Sequence, residues 1–188
     1  MTAVPAGSGK RSADDWIQAG YAILADEGIK ALKLDRLCAR LGVTKGSFYW
    51  HFADMAAYRA ALVTTWAQLR DRDRSHFADL AELPPRRRLS AMMTALLGAR
   101  QWNLERAMRE WGRIDPVVAE SVRTADQLVL TAVRQAFIDA GFVGEDADMR
   151  AQATFAAGIG FLHLSPKTPE GSLPPFHDRF LDLLFQRP

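Results

Sequence analysis

The sequence predicts an all-α protein of about nine helices, and three observations carry that expectation. Alternating stretches of β-branched residues are few, and no Asn-Gly or Asp-Gly pair joins two of them as a hairpin requires. Apolar residues recur instead at spacings of three and four, which gathers them on one face of a helix. Helix starts and stops punctuate the chain, with Ser, Thr, Asp or Pro at the starts and Gly or Pro past the ends.

The first helix opens at Ser12-Ala13-Asp14-Asp15, which has the form of a capping box. Trp16, Gly20, Ile23 and Leu24 share a face behind it, and Gly28 stands where a left-handed cap would end it. A short helix follows, with Leu34, Leu37, Cys38 and Leu41 on one side and Gly42 at its end. Thr44 is placed to cap a third, which contains Phe48 and runs to about His51. Asp54 is placed to cap a fourth and much longer helix, striped with Tyr58, Leu62, Thr65, Trp66, Leu69 and Phe77. That helix ends near Leu83-Pro84-Pro85, since proline removes an amide donor and its ring clashes with a continuing turn. Further helices are expected at 85–99, 103–112, 116–141 and 146–165. Pro116 opens one of them, in a first turn where its missing N–H costs nothing. The run 166–175 (PKTPEGSLPP) reads as a loop, and 176–185 as a last helix with Phe176, Phe180, Leu181, Leu184 and Phe185 on one face. The expected organisation is a three-helix head at 10–56, with its helix-turn-helix at about 33–52, and a helical body at 57–188.

Composition narrows the function classes. With 188 residues and 48% hydrophobic content the chain can bury a core, so disorder is not expected. A net charge of +2 is too small to mark a nucleic-acid protein, so any basic footprint must be local. The one cysteine, Cys38, excludes a disulfide framework and a thiolate zinc cage within one chain. No apolar stretch is long enough to span a bilayer, and the opening residues 1–9 do not resemble a secretory leader. A cytoplasmic protein with no membrane partner is expected. His51, His76, His163 and His177 are scattered, and no nucleophile elbow, phosphate loop or dinucleotide-binding turn is present. Neither enzyme chemistry nor a cofactor or metal site is expected.

The informative stretch is 33–52, KLDRLCARLGVTKGSFYWHF. Two short helices around a tight turn containing glycine meet the requirement of a helix-turn-helix. Leu34, Leu37, Cys38, Leu41, Val43, Phe48 and Phe52 would pack inward, leaving Thr44, Lys45, Gly46, Ser47, Tyr49, Trp50 and His51 displayed by the second helix. Those residue types suit a visitor to the major groove of double-stranded DNA. Thr44 and the helix N-terminus offer donors to a phosphate, and Tyr49 and His51 can do the same. Lys45 reaches a guanine edge or a phosphate, Gly46 and Ser47 allow close approach, and Trp50 can lie against sugar or a thymine methyl. Lys30, Lys33, Arg36, Arg40 and Lys45 outnumber Asp35 nearby, which favours a polyanion. Two core-packing helices in a plain bundle would share the apolar pattern, and a helical protein–protein adaptor is the rival reading. Neither needs the exposed aromatic and basic residues.

Residues 42–52, GVTKGSFYWHF, resemble the helix-turn-helix of the tetracycline-repressor-like (TetR) family, in which a turn glycine and valine precede a recognition helix ending in Tyr-x-His-Phe. The resemblance covers about residues 10 to 62 and is looser beyond, in Arg113-x-Asp115-Pro116 and the long helix up to Gly141. It implies a homodimer that binds a palindromic operator and releases it when a small-molecule inducer enters the body. Carried over by position, it implies phosphate contacts from Thr44, Tyr49 and His51, base-facing positions for Lys45, Gly46, Ser47 and Trp50, and a core position for Phe48. Lys33 stands where the family often has threonine and would add a phosphate contact. Met55 stands where a lysine often opens the fourth helix, so one backbone contact would be absent.

In the body, Met92, Met93 and Leu96 lie on one apolar face and Trp102, Met108 and Trp111 on another. A cavity lined by Met and Trp would admit an apolar or aromatic inducer, although such stripes are more often plain core. His163 reads as a buried or interfacial histidine, Arg86-Arg87-Arg88 as a solvated first turn, and the run 70–74 (RDRDR) as a wet helix face. The small residues of 153–160 would let the helix at 146–165 and the last helix form a four-helix dimer interface.

Overall fold

The computed structural model of the chain describes residues 11–96, 99–164 and 177–187, and among these nearly every regular element is an α-helix. The chain divides into two compact units, Met1–Thr65 and Trp66–Pro188. The first holds α1 (Ala13–Glu27), α2 (Leu34–Leu41), α3 (Lys45–Tyr49) and the start of α4 (Met55–Asp79). The second holds the rest of α4, then α5 (Pro85–Leu96), α6 (Ala99–Gly112), α7 (Pro116–Asp139), α8 (Gly144–Leu164) and α9 (His177–Phe185).

The expected caps are mostly in place. The Asp15 N–H donates to the Ser12 hydroxyl at 3.2 Å while the Ser12 N–H donates to the Asp15 carboxylate at 2.8 Å, which closes the capping box. The Ala57 N–H donates to Asp54 at 2.7 Å. Gly42 ends α2 at φ 67 and ψ 37, left-handed backbone that any side chain with a Cβ would strain. Two caps depart from expectation. Gly28 has φ 79 but ψ 176, outside the left-handed helical basin, and hands the chain to a 3₁₀ turn over Ile29–Ala31. Three residues are too few to show a period, so the sequence carries no sign of that turn. Thr44 occupies the capping position of α3 in extended backbone, but its hydroxyl makes no capping bond.

In the second unit, α6 begins four residues before the expected 103, at Ala99, and α8 begins at Gly144. Periodicity marks the apolar face of a helix and says little about polar residues at its start, such as Arg100 and Gln101. The expected loop at 166–175 and Phe176 lie outside the described residues. Asp115 caps α7 by accepting from the Val117 N–H at 3.0 Å, with Pro116 in the first turn. Asp115→Ala should therefore lower stability by about 1 kcal/mol, read as a fall in thermal midpoint with unchanged helix content.

The body core gathers Leu89, Met92 and Met93 of α5, Trp102 of α6, Val133, Ala136 and Phe137 of α7, Ala147, Ala151 and Leu162 of α8, and Leu181 of α9, all buried. Charged residues near this core overturn two sequence expectations. The arginines at the start of α5 are not a solvated turn. Arg86 donates to Asp182 at 2.7 Å on α9, and Arg88 donates to Asp139 at 2.5 Å on α7, while Arg87 stays exposed. Arg70 is not on a wet face: it is 9% exposed and lies 3.7 Å from Glu105 of α6. For these arginines the deciding partner is distant in sequence, and charge spacing within one helix does not report it. Of the two readings of His163 the buried one fails, since the side chain is exposed in the single chain.

Candidate nucleic-acid interface and body cavity

A five-residue helix cannot hold itself in water, so α3 depends on what it packs against. Phe48 is fully buried and meets Trp16 of α1 edge-on at 5.4 Å, Phe52 at 5.4 Å and Tyr58 of α4 at 5.5 Å. Beneath this ring cluster, the Tyr58 hydroxyl donates to the Trp16 carbonyl at 2.7 Å and the Tyr21 hydroxyl to the Leu62 carbonyl at 2.8 Å. Burial pushes the Tyr58 phenol well above the usual tyrosine range, so it stays a donor at any working pH. The recognition helix is thus pinned by one side chain to a floor that hydrogen bonds hold rigid.

With Phe48 turned inward, the rest of α3 and its flanks face out. Trp50 is 83% exposed and Tyr49 58%. Thr44, Lys45 and Gly46 are exposed, while Ser47 and His51 are half-buried. Lys33 is exposed at the start of α2. Lys45 Nζ sits 2.6 Å from the Asp35 carboxylate, which draws the start of α3 against the start of α2 and raises the lysine above its ordinary range. The other cations of this region are more committed than spacing suggested. Arg36 pairs with Glu27 at 3.0 Å and Arg40 with Asp26 at 3.2 Å, both acids at the end of α1. No local spacing marks those two acids, because only the packing of α1 on α2 brings them to the motif.

The body carries a cavity of about 80 Å³ between α4, α5, α6, α7 and α8. Met92 and Met93 line it, with Leu89, Val129, Val133, Ile159 and Leu162. Trp102, Met108 and Trp111 are buried but are not among its lining residues, and the side chain of Leu96 lies outside the described residues. Arg70, Glu105, Arg109, Asp126 and Thr154 supply a polar wall that periodicity did not reveal. Among the described residues no group of His, Cys, Asp or Glu is arranged to hold a metal ion, and no helix is long and apolar enough to cross a membrane.

Residues 17–62 match the family model of bacterial regulatory proteins, tetR family. No curated protein matches the chain. Among solved structures, a transcriptional regulator from Rhodococcus sp. Rha1 is similar at TM-score 0.69 and 20% identity, covering 93% of this chain and 94% of its own. GusR of Salmonella enterica is similar at TM-score 0.65 and 21% identity, covering 92% of this chain and 91% of its own. A TetR transcription regulator from Haloarcula marismortui is similar at TM-score 0.62 and 18% identity, covering 92% of each. At these identities the likeness is one of fold, and it extends over head and body alike. Over residues 17–62 the head is thus similar to the bacterial regulatory proteins of the tetR family, and the chain as a whole shares the fold of these solved structures.

Proposed function

We propose that the chain is a repressor whose homodimer binds a palindromic operator and leaves it when a small molecule enters the body cavity. The observation that carries the DNA-contact assignment is the exposure of Trp50 and Tyr49, at 83% and 58%, beside a Phe48 that is fully buried. Large rings held in solvent by a rigid floor are apolar surface waiting for a partner. In this reading Thr44, with no cap to make, donates its hydroxyl to phosphate, as do Tyr49 and His51, and Lys33 adds a cation there. Lys45, Gly46, Ser47 and Trp50 face the bases. The head is taken as 10–56 and the body as 57–188, with α4 continuous from one into the other. A change around the cavity reaches the head through that helix and alters the separation of two half-sites, which must lie near 34–36 Å or a multiple of it. Leu164 and Leu183, 80% and 60% exposed, together with Ala153 and Ala156, support a self-complementary face on α8 and α9.

Selection from a random duplex library should recover a palindrome, bound with a steep salt slope. Tyr49→Ala should weaken it roughly tenfold, the size of one lost hydrogen bond to a charged group. Binding indifferent to Tyr49, or sedimentation as a monomer at micromolar concentration, would overturn the reading and favour an adaptor. Asp35→Asn tests the same surface in the opposite sense. It removes a competing anion from Lys45 at an exposed site, so folding should be unaffected while operator affinity rises. A cation freed to enter the groove displaces about one counterion, which is worth roughly fivefold at physiological salt and steepens the salt slope by about one unit. An unchanged slope would mean that Lys45 does not reach the DNA.

A further inference from the structure

One wall of the body cavity is polar, and its charges are already balanced. Arg109 donates to Asp126 through Nη1 at 2.8 Å and Nη2 at 2.6 Å, and Nη2 also donates to Glu105 Oε1 at 3.0 Å. Arg70 Nη1 lies 3.7 Å from Glu105 Oε2, close enough for attraction but beyond hydrogen-bond distance. Two guanidinium groups thus face two carboxylates. Glu105 Oε2 remains a buried acceptor without a hydrogen-bond partner. Burial pushes the Glu105 carboxyl up, against the pull of Arg109 and Arg70, which is the behaviour of a group short of solvation.

We propose that this cavity takes a small uncharged molecule with one O–H or N–H donor for Glu105 Oε2 and a short apolar body for Met92, Met93 and Val129. The inference rests on the cavity as the effector site and adds the class of effector. Its size follows from the 80 Å³ volume, about half that of an engineered cavity known to hold benzene, which suits roughly four to six non-hydrogen atoms. Its neutrality follows from the wall. A carboxylate would bring a third negative charge beside Glu105 and Asp126, where both Nη groups of Arg109 are already engaged and only its buried Nε–H is left to meet it. An ammonium would bring a third positive charge to carboxylates that are already matched. Either is an uncompensated charge beside a wall whose Arg70 and Glu105 are themselves buried. A molecule lacking a donor would leave Oε2 as it is, a buried acceptor with nothing to accept. The methionines add tolerance of shape, because their unbranched thioethers repack easily.

The test titrates the full chain, labelled with ¹³C-methyl methionine, with 1-butanol, its donor-free isomer methyl propyl ether, butyrate and butylammonium. The Met92 and Met93 signals should shift saturably with 1-butanol, at a dissociation constant roughly tenfold below those of the other three. Glu105→Gln should bring the alcohol and the ether to within about threefold of each other, because the amide offers a donor of its own to either oxygen. If that variant does not fold, the alcohol-to-ether comparison in the unaltered protein decides alone. Equal binding of alcohol and ether, tighter binding of butyrate or butylammonium, or no saturable shift overturns the proposal. Operator anisotropy with the same four compounds separates it from the repressor reading. Alcohol preference without operator release keeps the ligand class and removes its inducing role. Release by a charged or donor-free compound that outcompetes the alcohol overturns the class and keeps the inducer.

Discussion

Phe48→Ala should abolish operator binding by unfolding the head, not by deleting a DNA contact. The ring is fully buried and meets Trp16, Phe52 and Tyr58 at 5.4–5.5 Å, so truncation leaves a cavity that three other rings line. Removing a buried phenylalanine costs about 3–5 kcal/mol, which is comparable to the whole stability of a head of this size. The five residues of α3 have no other deep anchor, so the recognition surface is lost with the ring. Urea unfolding followed by circular dichroism should lose the head's transition while the body's persists, and anisotropy should show no specific binding. Phe48→Leu, which refills most of the space, should recover a folded head with reduced stability. A Phe48→Ala protein that unfolds like the parent yet fails to bind DNA would show that Phe48 acts at the interface instead.

Gly20→Ala should be nearly as damaging, although alanine is the better helix former. A methyl group at position 20 would sit 2.1 Å from the Tyr58 hydroxyl and 3.0 Å from Leu62 Cδ2. Tyr58 is fully buried and its hydroxyl is committed to the Trp16 carbonyl at 2.7 Å, so it cannot swing aside without surrendering that bond. Overpacking costs about 1–3 kcal/mol and a stranded buried hydroxyl a similar amount, while the gain in helix propensity is only about 1 kcal/mol. The net expectation is a loss of about 3 kcal/mol. Tyr58→Phe removes the colliding oxygen, so the double variant should be more stable than the sum of the two single losses predicts. Strict additivity in that cycle would show that the collision is relieved by some other movement.

The same ring cluster shows how much of the head was legible beforehand. Spacing alone puts Trp16, Gly20, Phe48 and Tyr58 on inward faces, and all four are buried. A helix-turn-helix is built from contacts short in sequence and periodic, so its elements and turn glycine can be read directly. Which cations stay available cannot. Arg36 and Arg40 face Glu27 and Asp26 across a helix packing that no local pattern encodes, and Lys45 is met by Asp35.

The body divides in the same way. Its helices, the Asp115–Pro116 start and the burial of Met92, Met93, Trp102, Met108 and Trp111 follow from apolar periodicity. Which of those buried residues meet a cavity does not, because periodicity assigns a residue to a face and is silent about what covers that face. Arg70 makes the point most sharply. In a run of alternating charges it reads as solvated, and it becomes a cavity wall only because α6 brings Glu105 to it. By itself, then, the sequence determined the all-α class, the helix order and the DNA-binding motif, each a consequence of short-range spacing. The tertiary structure alone decided the pairing of charges, the reach of the recognition surface and the chemistry of the cavity. Those depend on side chains brought together from different helices, 9 to 96 residues apart, and burial strengthens the enclosed pairs in a way that separation along the chain does not reveal.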